Sequence, residues 1–329
     1  MSDPDVATKA PESDAQETII PGDTPAQTGP TMGEHCTSDR PTPAGLAPKG
    51  EIRKLGGVDV YLTKPKSYPT NPSKLLLLLS SGTGIKSTNN QIQADKYADE
   101  GFVVVMPDLF DGNPAPNSSP VPDAEAQGTS FLEKLKLKAV ELAKSLVIDE
   151  WLARHTEEKV MPILEKVIDA SKGEFADAVG NGGGIYAVGY CFGGRYVLLL
   201  ASERTIVQRG WSGAQKPADE EAGEGAKPTT KGPYIKAGAL AHATLVSPDD
   251  FQGLKVPVSL VCVESDPMFP DEVRETGEDL MSTNNLEHEV QVYPGVPHGF
   301  AVIGDYDDVN IKGAQETAYD QMLRWVKEH

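Results

Sequence analysis

A thiol, a carboxylate and an imidazole follow one another along this chain in settings that suit nucleophilic attack on a carbonyl. Cys191 lies in Val188-Gly189-Tyr190-Cys191-Phe192-Gly193-Gly194. That stretch follows an apolar run (Gly184 to Val188) expected to be a strand, and it opens a helix expected from Phe192 to about Ser202. A G-x-nucleophile-x-G turn between strand and helix holds its middle residue in a strained conformation. Glycines at 189 and 193 carry no Cβ and let strand and helix approach closely. At the start of a helix the sulfur also meets free N–H groups and the positive end of the macrodipole, which lower a thiol pKa and can hold an oxyanion.

An acid and a base are required downstream, in the order nucleophile, acid, histidine. Asp266 follows the expected strand Val258 to Val263, and His298 follows the expected strand His288 to Tyr293. Both then stand at carboxyl ends of parallel strands, where α/β sheets place their sites. The roles that follow are Cys191 as nucleophile, His298 as base, and Asp266 as the group that fixes the imidazole tautomer. Glu264 and Asp271 compete for the acid role, and the position just past the strand favours Asp266. His242 ends the run Ala237 to Leu245 and competes with His298 for the base role; only His298 has the post-strand loop position that the order requires, and His242 is a pocket candidate. Arg195, one helical turn after Cys191, reads as an ion-pair partner on its helix. Cys262 reads as a buried, inert thiol and Cys36 as adventitious.

The elements that must carry these groups are legible as a rhythm. Lys74-Leu-Leu-Leu-Leu-Leu-Ser80 is a continuous apolar run of the kind buried on both faces of a parallel sheet. A helix near Thr88 to Glu100 and a strand Phe102 to Met106 continue an alternation that means βαβ units. Strands at Val58 to Leu62 and Pro257 to Val263, and helices near Asp271 to Ser282 and Ile311 to Lys327, bring the count to at least seven strands. Residues 1–50 hold eight of the 26 prolines with eight acidic and three basic side chains, and are expected to be a disordered acidic tail. The remainder, 51–329, is expected as one domain. It is interrupted by a helical lid at 111–172 (helices Phe131 to Leu152 and Glu157 to Ala170) and a flexible surface insertion at 204–235.

The chain has 329 residues and a net charge of -19, so it repels phosphate backbones and anionic headgroups. Nucleic-acid and membrane partners are not expected, and a small molecule is. No apolar run approaches the roughly 20 residues of a membrane span, and the N-terminal residues lack the pattern of a signal peptide. Three cysteines without a CxxC pair argue against a disulfide framework and against a cysteine-rich metal site. A cytoplasmic protein without metal or cofactor, monomeric or homodimeric, is expected.

These residues resemble the dienelactone hydrolase family of the α/β-hydrolase fold, which uses a Cys-Asp-His triad. The resemblance spans roughly 50–329. It is carried by Asn89-Asn90-Gln91, Gly101-Phe102, Met106-Pro107-Asp108-Leu109-Phe110, Gly189-Tyr190-Cys191-Phe192-Gly193-Gly194 and Pro297-His298-Gly299-Phe300-Ala301-Val302. Gly33-Glu34-His35-Cys36 and Gly56-Gly57-Val58-Asp59-Val60-Tyr61 are similar to the fungal branch. The resemblance implies an oxyanion hole formed by the backbone N–H groups of Gly82 and Phe192. Ser81, Thr83, Tyr190, His242 and Phe300 are expected to line the pocket. Two departures stand out. Ser81 occupies the place where bacterial members carry a thiol-contacting glutamate. Asp111-Gly112-Asn113 and Val302-Ile303-Gly304 stand where those members carry arginines for a substrate carboxylate. A neutral or more apolar lactone, ester or thioester is therefore expected, cleaved through an acyl-cysteine. The alternatives are acyl transfer or isomerisation at the same site, or a catalytically silent binding protein.

Overall fold

All five leucines from Leu75 to Leu79 are fully buried, as a strand packed on both faces requires. The computed structural model describes residues 39–116, 147–206 and 229–329. In chain order its elements are β1 (Glu51–Leu55), β2 (Val58–Thr63), β3 (Lys74–Leu79), α1 (Thr88–Asp99), β4 (Phe102–Pro107), α2 (Glu157–Glu174), α3 (Ala176–Gly182), β5 (Ile185–Tyr190), α4 (Phe192–Ala201), β6 (Arg204–Ile206), β7 (Thr229–Lys231), β8 (Ala237–Ala241), β9 (Val258–Val263), α5 (Asp271–Thr283), β10 (His288–Tyr293) and α6 (Val309–Glu328).

Eight strands form one sheet in the order β1-β2-β4-β3-β5-β8-β9-β10. The pairings from β4 to β10 are parallel, and β1 and β2 add an antiparallel edge. Side-chain alternation splits the core into two layers. Leu75, Leu77 and Leu79 of β3 and Val103 and Val105 of β4 face the layer of α2, α3, α4 and α5. Leu76, Leu78, Phe102, Val104 and Met106 face the layer of α1 and α6. The same alternation decides the side of Cys191: Tyr190 falls in the α1/α6 layer and Cys191 in the other. The fold is thus the expected mostly parallel, doubly wound α/β sheet.

Several expectations change. β1 was not anticipated: its sequence EIRKL is polar and largely exposed, so it lacks the apolar signal of the inner strands. β8 stops at Ala241 rather than running to Leu245, because His242 (φ 37°) and Leu245 (φ 61°) leave the extended region. Of the stretch 111–172 expected as a lid, α2 is instead the crossover helix between β4 and β5. Its Val160, Leu164, Val167 and Ile168 are fully buried in the core. Residues 147–154 are helical, and 117–146, with most of the helix expected at Phe131 to Leu152, lie outside the described residues. The insertion expected at 204–235 begins and ends in a two-stranded ribbon, β6 with β7, and 207–228 lie outside the described residues.

The tail expected over 1–50 also changes at its end, while residues 1–38 lie outside the described residues. Residues 40–49 are tied to the domain. Thr42 Oγ1 donates to Asn89 Oδ1 at 2.8 Å, Asn89 Nδ2 to the Arg40 carbonyl at 2.7 Å, and the Lys49 N–H to Asp95 at 2.7 Å. Composition could not show this, because the strap binds through backbone groups and polar or charged side chains, Arg40 over the Tyr306 ring among them, rather than an apolar face.

Candidate active site

The parallel register brings strand ends level: Leu79 pairs Gly189, Tyr190 pairs Ala241, Ala241 pairs Val261, and Val263 pairs Tyr293. Cys191, His242, Asp266 and His298 all follow these ends, and so share one edge of the sheet. Cys191 has φ 50° and ψ -114° at the N-cap of α4. Such a conformation costs a non-glycine residue on the order of 1–3 kcal/mol unless its surroundings over-determine it. Here the Cys191 N–H donates to the Ala241 carbonyl (3.1 Å), and its own carbonyl accepts from Gly194 (3.0 Å) and Thr244 (3.1 Å). The Gly193 N–H donates to the Ser80 carbonyl at 3.1 Å, pinning the turn to the end of β3.

Asp266 is buried, whereas its rival Glu264 is exposed and Asp271 pairs with Arg274. One Asp266 carboxylate oxygen accepts the Met268 N–H at 2.9 Å, and the other meets His298 Nδ1 at 2.7 Å. The backbone bond orients the carboxylate so that its second oxygen is free to align the imidazole. Burial alone would lower the His298 pKa. Hydrogen bonds to Asp266 and to the Cys191 sulfur, with the charges of both, instead raise it from 6.5 to about 9. The imidazole thus lies between the carboxylate and the thiol, with a preference for carrying the proton.

A pH dependence of stability follows from that shift. The folded protein holds a proton that the unfolded chain releases near pH 6.5. The stability His298 contributes is therefore fully present below about pH 6.5 and is lost as pH rises through about 9. Thermal unfolding of the wild type is expected to show a Tm falling across that window, with the fall reduced in His298→Gln. An equal fall in both proteins would place the titration elsewhere.

The expected pocket residues divide. Ser81 and Thr83 sit on the loop after β3, with Ser81 Oγ 3.0 Å from Thr83 Oγ1 and the Asn90 amide bonded to both. His242 is fully buried with its ring 5.1 Å from that of His298 and 6.1 Å from that of Phe300. Phe300 is fully buried and also packs on Tyr293 at 5.2 Å. Tyr190 points away from the thiol's side of the sheet, its hydroxyl bonded to Tyr97 (2.8 Å) and Gln93 (3.0 Å). Strand alternation between 190 and 191 is the signal that could have excluded it. Gly82 follows Ser81, and its carbonyl accepts the Ala115 N–H at 2.8 Å.

Arg195 is committed elsewhere, bonding Asp250 through two nitrogens at 3.0 Å each. Cys262 is buried, and burial pushes its thiol up to about 12, as an inert core thiol requires. Sequence reasoning missed an aromatic wall beside the Cys191 turn. Phe192 packs on Phe110 (5.0 Å), Trp151 (5.5 Å) and Tyr196 (5.2 Å), and Trp151 Nε1 donates to the Asn113 carbonyl at 2.7 Å. The wall assembles from three separated segments, so no local spacing announces it.

A parallel sheet wound on both faces, with a strained residue leading from its central strand into a helix and a histidine–carboxylate pair on later loops, defines an α/β-hydrolase. Matches to known proteins narrow the class. The model of the dienelactone hydrolase family matches residues 58–229 and 226–329, and the chain belongs to that family. It is 26% identical over 281 residues to Hydrolase pyvD of Aspergillus violaceofuscus, covering 85% of this chain and 91% of that protein. It is 25% identical over 281 residues to Dienlactone hydrolase 1 of Gibberella moniliformis, covering 85% and 87%. The fold of esterase 2 from Thermogutta terrifontis superposes with a TM-score of 0.51 at 16% identity, covering 84% of this chain and 92% of that one.

Proposed function

We propose that the protein hydrolyses a neutral, largely apolar lactone, ester or thioester of a small metabolite through an acyl-cysteine at Cys191. His298, its pKa raised by Asp266 and Cys191, holds the thiol's proton on Nε2, and the Cys191 sulfur attacks the carbonyl carbon as a thiolate. The carbonyl π electrons move onto oxygen, where the backbone N–H groups of Gly82 and Phe192 receive the negative charge. Collapse of this intermediate breaks the bond to the leaving oxygen or sulfur, which takes the proton from His298. In a lactone that leaving group stays tethered to the acyl chain. Water then attacks the thioester, giving a proton to His298, and cleavage of the C–S bond releases the acid and restores the thiol. Asp266 holds Nδ1 protonated throughout, so that Nε2 can accept and return the proton.

The observation that carries this reading is the strained Cys191 backbone beside an imidazole bonded to Asp266 at 2.7 Å. Strain of that kind persists where its geometry is used. Preference for a neutral substrate is supported by the aromatic wall around Phe192 and by the residues at the two arginine positions. Gly112 donates its N–H to Asp108 at 2.7 Å and Ile303 its N–H to Gln93 at 3.0 Å, so both segments turn inward through their backbones. Intact mass after brief exposure to 4-nitrophenyl acetate tests the reading. Wild type is expected to gain one acetyl group that decays with time, and Cys191→Ala to gain none. Equal labelling of both proteins, or of neither, would remove Cys191 as nucleophile.

A further inference from the structure

The loop after β3 bears one of the two proposed oxyanion donors, and a single buried amide grips it. Asn90 is 1% exposed and occupies the third position of α1, where a side chain can reach back across the helix N-terminus. Its Nδ2 donates to the Gly84 carbonyl at 2.9 Å and to Thr83 Oγ1 at 3.1 Å, and approaches Ser81 Oγ at 3.3 Å. These three groups flank Gly82 on both sides. We propose that Asn90 is the positioning residue of the oxyanion loop, setting the direction of the Gly82 N–H; this rests on the acyl-cysteine reading above.

The geometry has a simple cause. The Ser81 carbonyl accepts the Gly84 N–H at 3.1 Å, closing a turn with Gly84 at φ 74°. In a trans peptide the C=O and N–H point in opposite directions. Folding the Ser81 carbonyl into the turn therefore aims the Gly82 N–H of the same peptide away from it. Asn90 closes that turn from the outside by holding its last carbonyl and both of its hydroxyls. An amide is required, because the Gly84 carbonyl is an acceptor and needs a donor.

Asn90 itself stands on a fixed base. Ser87 Oγ accepts its N–H at 3.1 Å, capping α1. One residue earlier, Asn89 binds Arg40 and Thr42 of the strap. One turn later, Gln93 accepts the Ile303 N–H from the loop that follows His298, and donates to the Tyr190 hydroxyl under the nucleophile. The first turns of α1 thus join the strap, the oxyanion loop and the His298 loop.

Two reactions of Cys191 separate this role from general damage. Acylation by 4-nitrophenyl acetate passes through an oxyanion, whereas alkylation by iodoacetamide does not. In Asn90→Ala and Asn90→Asp the acylation rate is expected to fall roughly 10- to 100-fold, the scale of one impaired oxyanion donor. Iodoacetamide alkylation of Cys191 should stay within about threefold of wild type, and the buried Cys262, the reporter of unfolding, should stay unlabelled. Thr83→Val, which removes one hydroxyl from a half-buried side chain, should lose several-fold in acylation alone. Acylation unchanged in the Asn90 variants would overturn the proposal. So would an equal fall in both reactions, or unchanged acylation in Thr83→Val if the Asn90 variants label Cys262. Failure of the underlying reading has a different signature: wild type itself would gain no acyl group.

Discussion

Asp266→Asn is expected to lower kcat/KM for ester hydrolysis by about 10³- to 10⁴-fold while the protein stays folded. Asp266 holds His298 Nδ1 at 2.7 Å, and an asparagine carbonyl could still accept the Met268 N–H, so the turn survives. What changes is the imidazole. An amide N–H turned toward Nδ1 favours the tautomer with the proton on Nε2, and that nitrogen can then no longer take the thiol proton. The carboxylate charge that stabilises the imidazolium disappears as well, so the His298 pKa should drop from about 9 and the alkylation rate of Cys191 at neutral pH should fall with it. Steady-state hydrolysis with a chromogenic ester, together with a melting curve, checks the result. A loss below tenfold in a folded protein would mean that another group serves as the acid.

The second large effect is structural. Gly193→Ala is expected to destabilise the protein by more than about 4 kcal/mol, enough to abolish activity and lower Tm by roughly 10 °C or more. A Cβ on Gly193 would lie 2.2 Å from the Leu79 carbonyl oxygen and 2.4 Å from its carbon. Those are backbone atoms of the buried strand β3, which cannot rotate away as a flexible side chain would. The facing position is as tight, since a Cβ on Gly189 would meet the Gly193 carbonyl oxygen at 2.5 Å. Gly313→Ala is the control. Gly313 lies inside α6 with nothing within 4 Å of an added Cβ, so the change should stabilise by about 0.5–1 kcal/mol. Thermal unfolding of the three proteins decides the matter, and a Gly193→Ala protein as stable as wild type would show that strand and helix do not need this approach.

The two predictions lean on information of different kinds. The need for glycine at 189 and 193 is legible from the motif, because a turn that passes directly from strand to helix leaves no room for side chains at its flanks. The placement of Cys191, Asp266 and His298 at strand ends was legible too, since each follows a recognisable strand and their order along the chain matches the order of those strands in the sheet. The apolar runs of β3, β4 and β9 announced a parallel sheet for the same local reason: burial on both faces leaves no polar alternation. β1 escaped notice because an exposed edge strand has no such pattern to display.

Other features depended on segments distant in sequence. Glu157–Ala170 reads as an amphipathic helix whether it covers a pocket or crosses a sheet, and the contacts of Val160, Leu164, Val167 and Ile168 with the core settle it as a crossover helix. The basic side chain of Arg195 shows a need for a carboxylate, and the fold selects Asp250 from many. Residues 40–49 look like tail by composition, yet they bond α1 through backbone groups and through polar and charged side chains that composition counts as tail. The sequence by itself determined the class of fold, the strand-turn-helix at Cys191 and the placement of Cys191, Asp266 and His298 after β5, β9 and β10, because these are written in local periodicity and in residues a few positions apart. The tertiary structure alone decided which layer each element covers, the aromatic wall beside Phe192 and the grip of Asn90 on the loop after β3. Those arrangements arise when separate strand ends and loops are brought level by the register of the sheet, and no short stretch of chain contains both partners.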